Sequence, residues 1–245
     1  MLDADVRDCF ASIDLDALVA LLERRCWRAN ASTNAEVVGA LRAAGNDEAG
    51  SEPLGDGALV SLGPGRSVNR AVGVGPELED RDLDRLERFF SNRGLPASVE
   101  VSSLTGEATL LRLAARGYRP QSFRSVFAAV LPLADRSPDV DGIEIVEVDD
   151  SNVDEWLEVL ADGNEITTAE GREISDEFGR AAHAVAGSTD FLAVIDGQAA
   201  GCGSLQVADG VGLFGGAATR PALGVLARSP PPLPANSAPW TRTVG

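Results

Sequence analysis

The sequence predicts an α/β chain of the α+β kind, and three observations predict it. The stretch Phe191 to Gly224 (FLAVIDGQAAGCGSLQVADGVGLFGGAATRPALG) holds three strand-like runs cut by Asp196-Gly197 and Asp209-Gly210. Such dipeptides between apolar runs favour the tight turns of β-hairpins. Segments with apolar residues at helical spacing precede that stretch and also open the chain. The length of 245 residues, with 44% hydrophobic and 24% charged residues, suits one large domain or two of about 100–150 residues, each with its own core.

Asp14 to Ala29 has helical periodicity, with Leu15, Leu18, Leu22 and Cys26 on one face. Thr33-Asn34-Ala35-Glu36 has the spacing of a capping box, in which Thr and Glu satisfy each other's free amides. That predicts a new helix with Val37, Val38 and Leu41 buried and Gly45 at its end. Residues 45–57, rich in glycine and acid, are expected as a loop. Ala58 to Leu62, a Gly-Pro-Gly turn and Asn69 to Gly75 read as two neighbouring strands. Asp80 to Asn92 is a helix with Leu83, Leu86 and Phe90 inward, stopped by Gly94. Ser98 to Ser102 alternates as a strand, Glu107 to Arg116 is a short helix ended by Gly117, and Phe123 to Leu131 is another strand. Residues 132–142 (PLADRSPDVDG) hold two prolines, three aspartates and no apolar period, which marks a linker and a boundary.

The second half restarts with a period-two strand, Ile143 to Val148. Ser151-Asn152-Val153-Asp154 caps a helix with Trp156, Leu157 and Leu160 inward. Thr168 to Ala186 is a second helix, with Ile174, Phe178, Ala181 and Val185 on its face, and the three-strand run follows. Both halves thus share an order of two helices and then a meander of strands. After Thr219 the composition changes. From Gly210 to Gly245 there is no acidic residue, and six of the 13 prolines lie between Pro221 and Pro239. No helix can run through Pro230-Pro231-Pro232-Leu233-Pro234.

A net charge of -17 repels nucleic-acid phosphates and anionic membrane surfaces, so neither is expected as a partner. Every basic residue is an arginine, which excludes lysine-based catalysis. Cys9, Cys26 and Cys202 form no metal-ligand spacing and no disulfide framework. The acidic opening MLDADVRDCF is no signal peptide, and no apolar run approaches the roughly 20 residues that span a bilayer. A cytoplasmic location is expected.

The order of elements, with FLAVIDGQAAGCGSLQV, VGLFGGAATRP, NRAVGVGP and LLRLAARGYRPQSF, resembles the GCN5-related N-acetyltransferase (GNAT) superfamily. The closest likeness is to a tandem type with a degenerate N-terminal half. On that resemblance residues 1–134 are the degenerate half, 135–142 the linker, 143–221 the N-terminal part of an acetyltransferase domain, and 222–245 a proline-rich tail. It implies a mixed sheet splayed between its fourth and fifth strands, with the pantetheine arm of acetyl-CoA bonded to the backbone of the fourth. Val211 to Thr219 matches that strand, and Ala217, Ala218 and Thr219 fall at its cofactor-facing end, where small side chains let a ligand approach the backbone. The family's next motif is an Arg/Gln-x-x-Gly-x-Gly/Ala loop running into a helix, whose amides hold the pyrophosphate. Here Arg220 and Gly224 are four apart, no second glycine follows at the right spacing, and the proline run begins within two residues of Arg228. The fifth strand and its catalytic tyrosine are missing too. In the first half, Glu77-Leu78-Glu79-Asp80 stands where phosphate would bind and would repel it. The loss of acid, the gain of proline and the broken motif together are what a frameshift or internal deletion would produce.

No catalytic side chain is singled out by spacing. Asp190 and Asp209 at strand ends, and Glu165, Glu170 and Glu173 around the helices, are candidate bases that each read as solvated surface. His183, the only histidine, points largely outward on its helix. Cys202 reads as a small buried residue, and Tyr118, the only tyrosine, as a structural aromatic after Gly117. The resemblance implies transfer of an acetyl group from acetyl-CoA, as co-substrate and without a metal, to a primary amine of a small molecule or protein. The missing phosphate loop implies weak binding and slow turnover. The alternative is a non-catalytic scaffold or binding module, and a further one is a polyproline ligand in the tail. The sequence leaves the acceptor and the oligomeric state open.

Overall fold

The longest element, α1 (Leu15–Ala43), runs unbroken for 29 residues. It belongs to a computed structural model that describes residues 15–66, 68–102, 104–123 and 142–221. The predicted break at Thr33 does not occur. No glycine or proline interrupts Ala29 to Glu36, and Thr33, instead of capping a new helix, is only 6% exposed in the stripe it forms with Val37 and Leu41. Nearby polar side chains bond within the helix, Asn34 Nδ2 donating to the Asn30 carbonyl at 2.7 Å. The first half therefore opens with one helix, not two. Gly45, at φ +97°, ends it. The Asn46 and Gly45 amides return to the Leu41 and Arg42 carbonyls, each at 3.0 Å, the paired bonds of a Schellman stop.

Part of the expected loop is a strand. β1 (Gly50–Leu54), β2 (Gly57–Ser61) and β3 (Arg70–Val72) form an antiparallel sheet in that order. β1 was hidden by Pro53, which an edge strand tolerates, and by the Gly55-Asp56 turn beside it. Both faces of β2 are covered. Ala58 and Val60 face Val37, Val38 and Leu41 of α1, while Leu59 faces α2 (Asp80–Ser91) and α3 (Glu107–Ala115) through Leu83, Leu86, Phe90 and Leu113. The expected strand at Ser98 to Ser102 reduces to one parallel bridge between Val99 and Ala71. The expected strand from Phe123 keeps only Phe123 among the described residues, and the linker at 135–141 and the tail lie outside them.

The second half follows its predicted order. β4 (Ile143–Glu147), α4 (Val153–Gly163), α5 (Ala169–His183), β5 (Ser188–Ile195), β6 (Gln198–Ala208) and β7 (Val211–Thr219) make an antiparallel sheet ordered β4-β5-β6-β7. Thr168 Oγ1 caps α5 by accepting from the Gly171 amide at 3.1 Å. At the two hairpin tips Asp196 and Gly197 (φ +51° and +75°) and Asp209 and Gly210 (φ +51° and +71°) are both left-handed, the backbone of a type I′ turn. One face of the sheet packs Val146, Leu192, Val194 and Cys202 on Trp156, Leu157 and Val159 of α4. The register puts Ile145, Ala193 and Gly201 on the opposite face, with Leu205 beside Phe214. There Ile145 is 63%, Val207 54% and Phe214 86% exposed.

The halves meet through a shared core. Ala181 and Val185, at the end of α5 and just beyond it, join Val37, Val38 and Leu41 of α1 in one buried cluster with Phe178 against it. Polar bonds flank it. Arg66 pairs with Glu177 and donates to the Ile174 carbonyl at 3.3 Å, and Asn46 Nδ2 donates to Glu177 at 2.8 Å. The described residues thus form an α+β protein with two antiparallel sheets. No helix among the described residues is long and apolar enough to cross a membrane.

Candidate functional site at the edge of the larger sheet

Among the described residues β7 is the end strand of its sheet, and an end strand presents one row of backbone groups with no strand partner. It is also bulged. Cys202 pairs with Ala218 and Ser204 with Gly215, so Gly216 and Ala217 together face the single residue Gly203. Gly216 adopts φ +57°, and a Cβ there would lie 3.0 Å from Ser204 Oγ. Its carbonyl accepts a weak bond from Cys202 Sγ at 3.5 Å. Of the three residues expected to meet a cofactor, Ala217 and Thr219 are exposed and Ala218 half-buried, so small side chains flank an accessible, kinked backbone.

The end of β7 is clamped to α4. Arg220 Nε donates to Asp162 at 3.0 Å, its Nη1 to the Ala199 carbonyl at 3.0 Å, and its Nη2 approaches Glu158 at 3.4 Å. Arg172 donates to the same Asp162 at 2.6 Å. The hydrogen bond from Arg172, joined by that from Arg220, holds the Asp162 carboxyl below the usual carboxylate range against the opposing effect of burial. Gly163 makes this approach possible. A Cβ there would stand 2.7 Å from both the Ala218 Cβ and the Thr219 amide nitrogen. Arg220 is therefore spent on carboxylates and a carbonyl. Beside this clamp a cleft of about 310 Å³ opens between α4 and α5, lined by Asp154, Leu157, Glu158, Arg172, Asp176 and Arg180. Its charges largely pair, as Arg180 does with Asp154.

Among the candidate bases, Glu165, Glu170, Glu173 and Asp209 are exposed, as expected. Asp190 is not. It is 1% exposed, and its Oδ2 lies 2.7 Å from His183 Nδ1. His183, with 26% of its side chain exposed, lies tilted beside Trp156 at 6.3 Å between ring centroids. The outward histidine and the solvated aspartate of the sequence are thus one half-buried pair. The pairing has a local signal in the sequence: the two residues are seven apart, across the turn from a helix's last residue to a strand.

Cys202 is half-buried, and burial pushes its thiol up to about 11, which leaves almost no thiolate at neutral pH. Tyr118 packs against the α2 and α3 cluster, and burial, with the charge of Glu87, pushes its hydroxyl up to about 12. Gly224 lies outside the described residues. Among the described residues no group of three histidine, cysteine, aspartate or glutamate side chains is placed to hold a metal ion. Compared with protein-family models, curated proteins and solved structures, the chain matches none.

Proposed function

We propose that the chain is an N-acetyltransferase of the GNAT kind with a weakened cofactor site. In this proposal the bulged backbone of β7 takes the pantetheine arm of acetyl-CoA. The observation that carries it is the bulge itself. Gly216 and Ala217 interrupt the pairing of an exposed end strand, immediately before the small residues Ala218 and Thr219. A bulge turns a backbone amide out of the ladder, where it can bond an extended amide ligand or polarise a thioester carbonyl. The order of a strand, two helices and three hairpin-linked strands supports the same reading.

The amine acceptor attacks the thioester carbonyl, the C–S bond breaks, and coenzyme A leaves as the thiol. The proton lost by the amine passes to water or a carboxylate. Arg220 is occupied by Asp162, Glu158 and Ala199, so it is not free for a pyrophosphate. The sequence after it has Gly224 but no second glycine at the motif's spacing. Binding therefore rests on the pantetheine arm, with acetyl-CoA from the cytoplasmic pool as the donor.

The test is a thermal-shift titration with acetyl-CoA beside S-acetylpantetheine. A ligand that binds the folded state alone raises apparent stability. Equal shifts from both compounds at millimolar concentration, abolished by Gly216→Val, are expected. No shift with either would leave the scaffold role in place of the enzyme. A much larger shift with acetyl-CoA would show that a phosphate site exists after all.

A further inference from the structure

The open face of the β4–β7 sheet has the composition of a buried surface. An antiparallel sheet with one wet face normally alternates apolar inward and polar outward. Here the outward positions of neighbouring strands include Ile145, Phe191, Leu205 and Phe214 beside the polar Glu147, Thr189, Gln198 and Thr219, and Ile143, Ile145, Val207 and Phe214 are among the exposed large hydrophobics. A Cβ added at Gly203, in the middle of this face, would meet nothing within 4 Å. A contiguous apolar face of this kind marks a contact surface.

We infer that the chain's own residues 222–245 cover this face. They begin three residues after Thr219, the last residue of β7, which lies on the open face through its pairing with Gly201. Their 24 residues, extended, reach roughly 80 Å, while four strands at about 4.8 Å spacing are only about 15 Å wide. They bring Leu223, Val225, Leu226, Leu233, Trp240 and Val244. Their charge is also opposite to that of the rest. The first 221 residues carry all 38 acidic residues, whereas 222–245 carry Arg228 and Arg242 and no acid. Glu147 lies on the open face and Asp196 and Asp209 at its hairpin tips, so a cationic, apolar strap is attracted there. A second copy of a chain with net charge -17 would instead bring like charges together around the same face.

Photo-crosslinking in the full chain tests this. p-Benzoylphenylalanine is placed at Phe214 in one protein and at Ile145, three strands away, in another. The expected result is an intramolecular crosslink from each position to a peptide within 222–245, in a band of monomer mass. With the probe at Phe214, the pair Ile145→Asp and Val207→Asp should lower the yield about tenfold or more, since it removes two apolar contacts. Circular dichroism unchanged from the parent shows that the sheet has survived. A crosslinked dimer, crosslinks from Phe214 that ignore the two aspartates, or no crosslink from Ile145 would each overturn the inference.

Discussion

Asp190 Oδ2 and His183 Nδ1 lie 2.7 Å apart, joining the last residue of α5 to a β5 carboxylate that is 1% exposed. A buried carboxylate that loses its partner keeps the cost of desolvation and forfeits the attraction that offset it. His183→Ala should lower the unfolding free energy by about 3 kcal/mol, read from urea denaturation. The double replacement His183→Ala with Asp190→Ala should recover part of that loss, because no charge is then stranded. A double variant as unstable as the sum of the two singles would show that the residues do not act as a pair.

Glu177 makes stability depend on acid. Burial raises its carboxyl, but the hydrogen bonds from Arg66 and Asn46 prevail and hold it below the ordinary value of 4.5. A depressed carboxylate contributes stability above its unfolded pKa and loses it as pH falls through the folded one. Between about pH 5 and 3, Glu177→Gln should fall less steeply in stability than the parent, with the difference largest at neutral pH. Parallel curves over that window would remove Glu177 from the coupling of the halves.

Gly163→Ala tests the contact between α4 and β7. The new Cβ would stand 2.7 Å from a backbone nitrogen, so the helix must shift. The expected cost is about 1–3 kcal/mol, with faster hydrogen exchange at the Arg220 amide, which bonds the Ala200 carbonyl at 2.9 Å. Exchange that is faster elsewhere but unchanged at Arg220 would place the strain away from the clamp.

Cys202 should resist alkylation. With its thiol raised to about 11, its thiolate fraction at pH 8 is on the order of a hundredfold below that of a free cysteine. Peptide mapping after iodoacetamide should find Cys202 labelled rapidly only in denaturant. Rapid labelling of the folded chain would show a thiol far more exposed and acidic than its place beside the bulge allows.

The parts legible in the sequence are those whose physics is local. Asp196-Gly197 and Asp209-Gly210 fix two hairpins by backbone preference alone, and Gly45 and Gly94, both left-handed, end α1 and α2 where expected. What failed needed distant partners. Thr33 has the chemistry of a cap, but it lies buried within a longer helix. β1 looks like loop until β2 pairs with it. Ala217, Ala218 and Thr219 could be placed at a strand end, but the clamp on the next residue comes from Asp162, 58 positions earlier. Asp190 reads as a surface acid until the end of α5 is seen to lie over its strand.

The final turns of α1 serve as floor for one sheet and wall for the other half at once, since Val37, Val38 and Leu41 share their cluster with Ala58, Val60, Ala181 and Val185. A gene cut anywhere between the two sheets would hand each fragment an apolar surface shaped for the other. The unit that can be inherited, grafted or fused intact is therefore the pair, however clearly each half seems to begin and end in the sequence.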